Sequence, residues 1–316
     1  MQRRKLFNHL SAGVAGAALA ACGGGGGGAI AAAASKPTFV LVHGAWHGGW
    51  CWAETVRLLA EKGYPTVVVD LPGHGINAKF PAAYLAQPQN PGALATEVSP
   101  LAPVTLNDYR DHVLKIVRGL TANGSGPVIL VGHSLGGATL SVVAEAEPTL
   151  IRKLVYLTAF VPVKQDAVIA YLMRPEFTAS QVPPLFAGNP EVIAAVRINH
   201  NSTDAAYVAK SKSAFYGDVS DAAFTAVSNL LTPDEPVQAF AGKVIPTLAK
   251  WGSVPRAFIR CTADNAIPIT GQDVMIAEAD AFTPNNKFVQ KTLTSSHSPF
   301  VSQPQLLTDT LLSLAA

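Results

Sequence analysis

Charge is scarce in this chain: only 14% of its 316 residues are Asp, Glu, Lys or Arg, against 49% apolar residues. Disorder needs the opposite balance, so most of the chain must fold around a sizeable core, as one large domain or two small ones. The body has no run of Lys and Arg that could track a phosphate backbone, and a formal charge of +2 is small for this length, which argues against a nucleic-acid partner. Cysteine is nearly missing as well. Three thiols, Cys22, Cys51 and Cys261, are too few for a disulfide scaffold. With Cys22 in the leader, one bridge between Cys51 and Cys261 is available, but two isolated buried thiols are the simpler expectation.

The slight basicity belongs to the first residues. Arg3, Arg4 and Lys5 stand before an Ala-rich apolar stretch, Leu6 to Ala21, that is too short to span a bilayer permanently. This pattern reads as an export signal. Leu19-Ala20-Ala21-Cys22 resembles the lipobox of bacterial lipoproteins, with Cys22 as the lipidated residue, and Arg3-Arg4 resembles a twin-arginine signal. An ordinary cleaved signal peptide is the alternative. Either way, a periplasmic or cell-envelope location is expected, with Gly23 to Gly28 as a flexible tether and contact with a membrane only through that lipid.

From Pro37 onward, short β-branched runs alternate with helical patterns, which predicts an α/β fold: a mostly parallel sheet flanked by helices. The strand candidates are Thr38 to Val42, Pro65 to Val69, Pro127 to Val131, Leu154 to Leu157, Ala257 to Ile259 and Phe288 to Leu293. Most are apolar throughout, as strands buried on both faces are. Helical spacing runs through Trp52 to Lys62, Thr105 to Leu120 and the stretch around Leu306 to Leu314, and Thr105 with Asp108 is placed for a capping box. Two stretches break the alternation. Ile76 to Val104 is rich in Pro and Ala, and residues 161–254 lack strand signals while being too long for a bare loop. The expected organisation is therefore a leader (1–35), a core (36–160 and 255–316) and a helical cap (161–254) inserted in that core.

After the strand Pro127 to Val131 comes Gly132-His133-Ser134-Leu135-Gly136-Gly137, a G-x-S-x-G pattern leading into a small-residue helix. A sharp strand-to-helix turn holds a serine out at the carboxyl edge of the sheet, and the glycines leave room where side chains would collide. Such a hydroxyl needs a base, and only His200 and His297 follow it. His297, after the last strand, is the expected base. Asp264, just past the strand Ala257 to Ile259, is the expected orienting acid, with Asp166 as runner-up. Charge developing on an attacked carbonyl calls for fixed donors, here the N–H groups of Leu135 and Ala45. His43 and His47 are four apart, but Gly44, Gly48 and Gly49 argue against the helix that metal spacing needs; neither metal nor cofactor is expected. Asp70 to Gly75 reads as a tight architectural loop.

The segments HGAWHGGWCW, DLPGHG, GHSLGG, CTAD and SSHSPF together resemble the α/β-hydrolase superfamily, in the branch of plant methylesterases and hydroxynitrile lyases with their bacterial esterase relatives. The resemblance implies an α/β-hydrolase fold. Similar hydroxynitrile lyases carry Thr at the position of Gly44 and Lys at that of Ser298, so the resemblance implies ester hydrolysis rather than C–C lysis. One departure stands out. Relatives commonly place Asp directly before the catalytic His, and this chain has Ser296.

The expected activity is that of a serine carboxylesterase acting on a small to medium uncharged ester. Its alternatives are a hydroxynitrile-lyase-like reaction and a non-catalytic ligand-binding protein of the same fold. Gly44, Trp46, His133 and Phe160 from the core, with Tyr171, Phe186 and Phe215 from the cap, are the expected pocket lining; Met173, Phe177, Tyr216 and Phe224 are further cap candidates. The expected partner is a small-molecule ester, and no oligomeric state is assigned.

Overall fold

Eight strands form among residues 36–315, the residues described by this computed structural model. They are β1 (Phe39–Val42), β2 (Thr66–Val69), β3 (Val128–Ser134), β4 (Ile151–Ala159), β5 (Ala195–Arg197), β6 (Asp234–Pro236), β7 (Arg256–Cys261) and β8 (Val289–Leu293). Six of them make one parallel sheet in the order β2-β1-β3-β4-β7-β8. The leader and Cys22 lie outside the described residues.

Residue chemistry explains which strands sit where. β1 and β3 are buried at every position and carry Val, Ile, Leu and Phe, because helices cover both faces of the sheet's centre. β8 (VQKTL) departs from the mostly apolar pattern: it is one of the two sheet edges, exposed at Val289, Gln290 and Thr292. The helix Leu106–Leu120 starts with the expected capping box, in which Thr105 Oγ1 accepts from the Asp108 N–H while the Asp108 carboxylate accepts from the Thr105 N–H. The helix Ala53–Glu61 runs out towards Gly63, whose φ of +70° suits glycine. Cys51 and Cys261 are both free and buried.

Residues 161–254 correct the sequence reading in one respect. They are mostly short helices, but β5 and β6 form an antiparallel pair within them. Three-residue strands are too short to leave a period-two signal. A fully buried Arg197–Asp234 pair locks this ribbon, with Arg197 Nε 2.6 Å from Asp234 Oδ1 and Nη2 2.8 Å from Oδ2. Arg197 also donates to the carbonyls of Leu94 and Glu97, so the Pro- and Ala-rich stretch, which forms the short helices Ala82–Leu85 and Pro91–Thr96, packs on the cap. No helix among the described residues is long and apolar enough to cross a membrane.

Candidate active site

β3 does not stop at Val131 as its apolar run suggested; it continues through Gly132 and His133 to Ser134, and the helix Gly136–Ala146 begins two residues later. Ser134 occupies the turn with a φ of +53°, a left-handed conformation that a non-glycine residue adopts only under constraint. The neighbouring glycines supply the space. A Cβ on Gly132 would lie 2.5 Å from Leu140 Cδ1, and one on Gly136 would lie 2.7 Å from the His43 carbonyl oxygen.

Asp264 and His297 meet as expected. His297 Nδ1 donates to Asp264 Oδ2 at 2.7 Å, and both residues are buried. The other carboxylate oxygen accepts the N–H groups of Ala266 (2.7 Å) and Ile267 (2.8 Å), and Thr158 Oγ1 donates to Oδ2. This carboxylate therefore has four donors and no freedom to turn. Thr158 escaped sequence reading because it sits inside a strand; its φ of +35° is a signal only coordinates carry. Asp166, the runner-up acid, pairs with Lys243 on the surface, and His200 lines a separate cavity in the cap, where burial lowers its pKa to about 3.

The loop after β1 is fixed by its histidines. His43 Nδ1 donates to the Gly44 carbonyl (2.8 Å) while Nε2 accepts the Leu71 N–H (3.0 Å), which sets one neutral tautomer. His47 Nδ1 donates to the Ala45 carbonyl and Nε2 accepts from the Tyr216 hydroxyl, each at 2.7 Å. Burial pulls the pKa of His43 down to about 4 and that of His47 to about 3, so both are uncharged near neutrality. Pinning the Gly44 carbonyl on one side of its peptide plane aims the Ala45 N–H to the other. Neither this N–H nor that of Leu135 is spent on a backbone or side-chain acceptor among the described residues.

Ala45, Ser134, Leu135 and His297 share the wall of one cavity. Of the expected lining, Trp46, Phe160, Phe186 and Phe215 are present. Gly44, His133 and Tyr171 are not among its lining. Gly44 lies behind Ser134, with its missing Cβ 2.6 Å from Ser134 Cβ. His133 is turned inward, its Nε2 donating to the His297 carbonyl at 2.8 Å and its ring 4.4 Å from that of His297. Tyr171 buries its hydroxyl against Glu278 (2.7 Å) and the N–H of Lys164 (3.2 Å). Among the further cap candidates, Met173 is 83% exposed, Phe177 packs on Gly271, Tyr216 serves His47, and Phe224 faces the cavity of His200. Sequence reading missed Leu172, Val182, Pro183, Phe240, Ala266 and Ile267, which complete an apolar lining. Among the described residues, His297 contributes the only ionisable side chain to that wall.

Against known proteins, the description "Alpha/beta hydrolase family" matches residues 39–310, nearly the whole described chain. The chain belongs to this family. Methylesterase 18 of Arabidopsis thaliana is 28% identical to this α/β-hydrolase over 89% of the chain and 98% of its own length. A longer chloroplastic protein of the same plant, number 11 in the methylesterase series, is 33% identical over 88% of the chain, which spans 63% of that relative's length. Among solved structures, the Arabidopsis methylesterase MES16 is 25% identical with a TM-score of 0.63, covering 88% of this chain and 98% of that one. A pyrethroid hydrolase from Sphingobium faniae JZ-2 shares the fold at 23% identity, with a TM-score of 0.69 over 88% of this chain and 97% of its own.

Proposed function

We propose that this α/β-hydrolase is a serine carboxylesterase that works through an acyl-enzyme. Relatives named methylesterases make ester hydrolysis the activity of the chain, and the arrangement around Ser134 supports the mechanism. The observation that carries it is the convergence, on one apolar wall, of Ser134, the Asp264-oriented His297, and two uncommitted backbone donors. Ser134 Oγ attacks the ester carbonyl as His297 Nε2 takes its proton; Asp264 holds Nδ1–H and favours the imidazolium that forms. The carbonyl oxygen becomes an oxyanion received by the N–H groups of Ala45 and Leu135. Collapse breaks the C–O bond, the alcohol leaves with the proton from His297, and water activated by the same imidazole hydrolyses the acyl-serine.

The cavity supports an uncharged substrate with an alkyl or aryl part, since a charged group would lose its hydration against Phe160, Phe186, Phe215 and Ile267 with no counter-ion in return. Lyase chemistry is disfavoured on steric grounds, because the threonine carried by similar lyases at position 44 would drive its Cβ into Ser134 and into His133 Nδ1, 2.8 Å away. Replacing Ser134 with Ala is expected to lower p-nitrophenyl butyrate turnover by about 10³-fold or more and to abolish organophosphate labelling. Labelling that persists in the folded Ser134→Ala protein would remove Ser134 from the mechanism.

A further inference from the structure

Trp46 follows the oxyanion-loop residue Ala45 and has a φ of +62°, unusual for so bulky a residue. Each of its polar atoms is held, and every partner is in the cap. Its N–H donates to Glu235 Oε2 (3.1 Å), and its carbonyl accepts from the Thr232 N–H (2.8 Å) and Oγ1 (3.2 Å). Its indole Nε1–H donates to the Val196 carbonyl at 2.9 Å. Val196 and Glu235 are directly opposed residues of the β5–β6 ribbon, so a single rung of that ribbon grips Trp46 at both ends.

Glu235 is 1% exposed and is itself fixed by the core: Tyr109 Oη donates to Oε1 at 2.8 Å, and His74 Nε2 stands 2.8 Å from Oε2. The blander reading is that Glu235 only fastens the cap down. The geometry goes further. The peptide between Ala45 and Trp46 carries the N–H that Glu235 accepts and the carbonyl that His47 holds, and it shares the Ala45 Cα with the peptide that carries the Ala45 N–H. The two planes are hinged at that Cα, so holding the Trp46 peptide fixes the pivot from which the Ala45 N–H is aimed, and a strained backbone holds its conformation only while its surroundings over-determine it.

We propose that Glu235 is a positioning residue for catalysis: from the cap, it fixes the strained Trp46 backbone and thereby aims the Ala45 N–H at the developing oxyanion. This rests on the serine-esterase reading, and it makes the β5–β6 ribbon part of the catalytic apparatus. Glu235→Leu removes the acceptor, whereas Glu235→Gln keeps an amide oxygen for the Trp46 N–H.

The experiment compares purified wild type, Glu235→Leu, Glu235→Gln and Thr232→Val. The measurements are kcat and KM for p-nitrophenyl butyrate, and affinity for an alkyl trifluoromethyl ketone, which binds as an oxyanion, against the matching secondary alcohol, which does not. Glu235→Leu should lose about 10- to 100-fold in kcat and in ketone affinity, with KM and alcohol affinity within about threefold of wild type, and Glu235→Gln should recover most of the loss. Thr232→Val should show a smaller loss of the same selectivity, and it decides the matter if Glu235→Leu does not fold. Unchanged ketone affinity in the folded variants, or equal weakening of ketone and alcohol, overturns the proposal. Failure of wild-type Ser134 to label with an organophosphate would instead overturn the esterase reading, which the Glu235 comparison leaves untouched.

Discussion

Gly44 shows how a single missing side chain can matter. Its glycine invites the reading that the backbone there approaches a substrate, and the structure gives a different reason: an added Cβ would stand 2.6 Å from Ser134 Cβ and 2.8 Å from His133 Nδ1. The room is needed by Ser134 itself. Gly44→Ala should therefore displace Ser134 or His133 and, with it, His297, whose carbonyl His133 holds. Misplacement of reacting groups by about 1 Å can cost about 100-fold in rate, so a loss of that order in kcat is expected, with thermal stability falling less sharply. Wild-type turnover in Gly44→Ala would show that the turn can yield.

Among the elements, the loop from Ser295 to Ser298 that carries His297 depends on a residue far away in sequence. Where the family resemblance puts an acid before the histidine, this chain has Ser296, and a carboxylate reaches the loop from the end of the cap helix Ala205–Tyr216 instead. Asp218 Oδ2 accepts the Ser296 N–H (3.0 Å) and the Ser295 hydroxyl (3.1 Å), while Oδ1 accepts the Ser296 hydroxyl. Partial burial opposes the charge on Asp218, but the Ser296 hydroxyl and N–H outweigh it and hold the carboxyl below its ordinary range. Asp218→Ala should free this loop and lower kcat by about tenfold at nearly constant KM. Asp218→Asn should keep part of the rate through its remaining acceptor oxygen. A folded Asp218→Ala protein with unchanged kcat would reduce Asp218 to a surface residue.

At the scale of the whole molecule, the cap and the core are joined through buried charge. Burial alone would push His74 down, yet the Glu235 carboxylate outweighs it and raises its pKa above the ordinary 6.5. Glu235 is likewise opposed by burial and brought below the ordinary 4.5 by His74, Tyr109 and the Trp46 N–H. Asp70 and His43 face the same pair. The signs then follow. The Glu235 contribution is present above 4.5 and lost as pH falls through its lowered folded value; the His74 contribution is present below 6.5 and lost as pH rises through its raised folded value. The difference in urea midpoint between wild type and Glu235→Gln should thus be greatest between pH 4.5 and 6.5 and shrink on either side. A difference independent of pH would mean that the pair does not ionise together.

The parallel sheet, the capping box, the Ser134 turn and the strand ends that carry Asp264 and His297 were legible in the sequence because each has a local cause. Buried strands must be apolar, a cap needs an acceptor three residues from its N–H, and a tight turn into a helix needs glycines. The apolar lining from Leu172, Val182 and Phe240, the Thr158 and Asp218 hydrogen bonds, and the Glu235 grip on Trp46 had no such local cause. Glu235 and Trp46 are 189 positions apart, and nothing near either residue specifies the other. Their pairing exists because folding the cap over the sheet removes water from both, leaving a buried carboxylate and a buried N–H that each need the other.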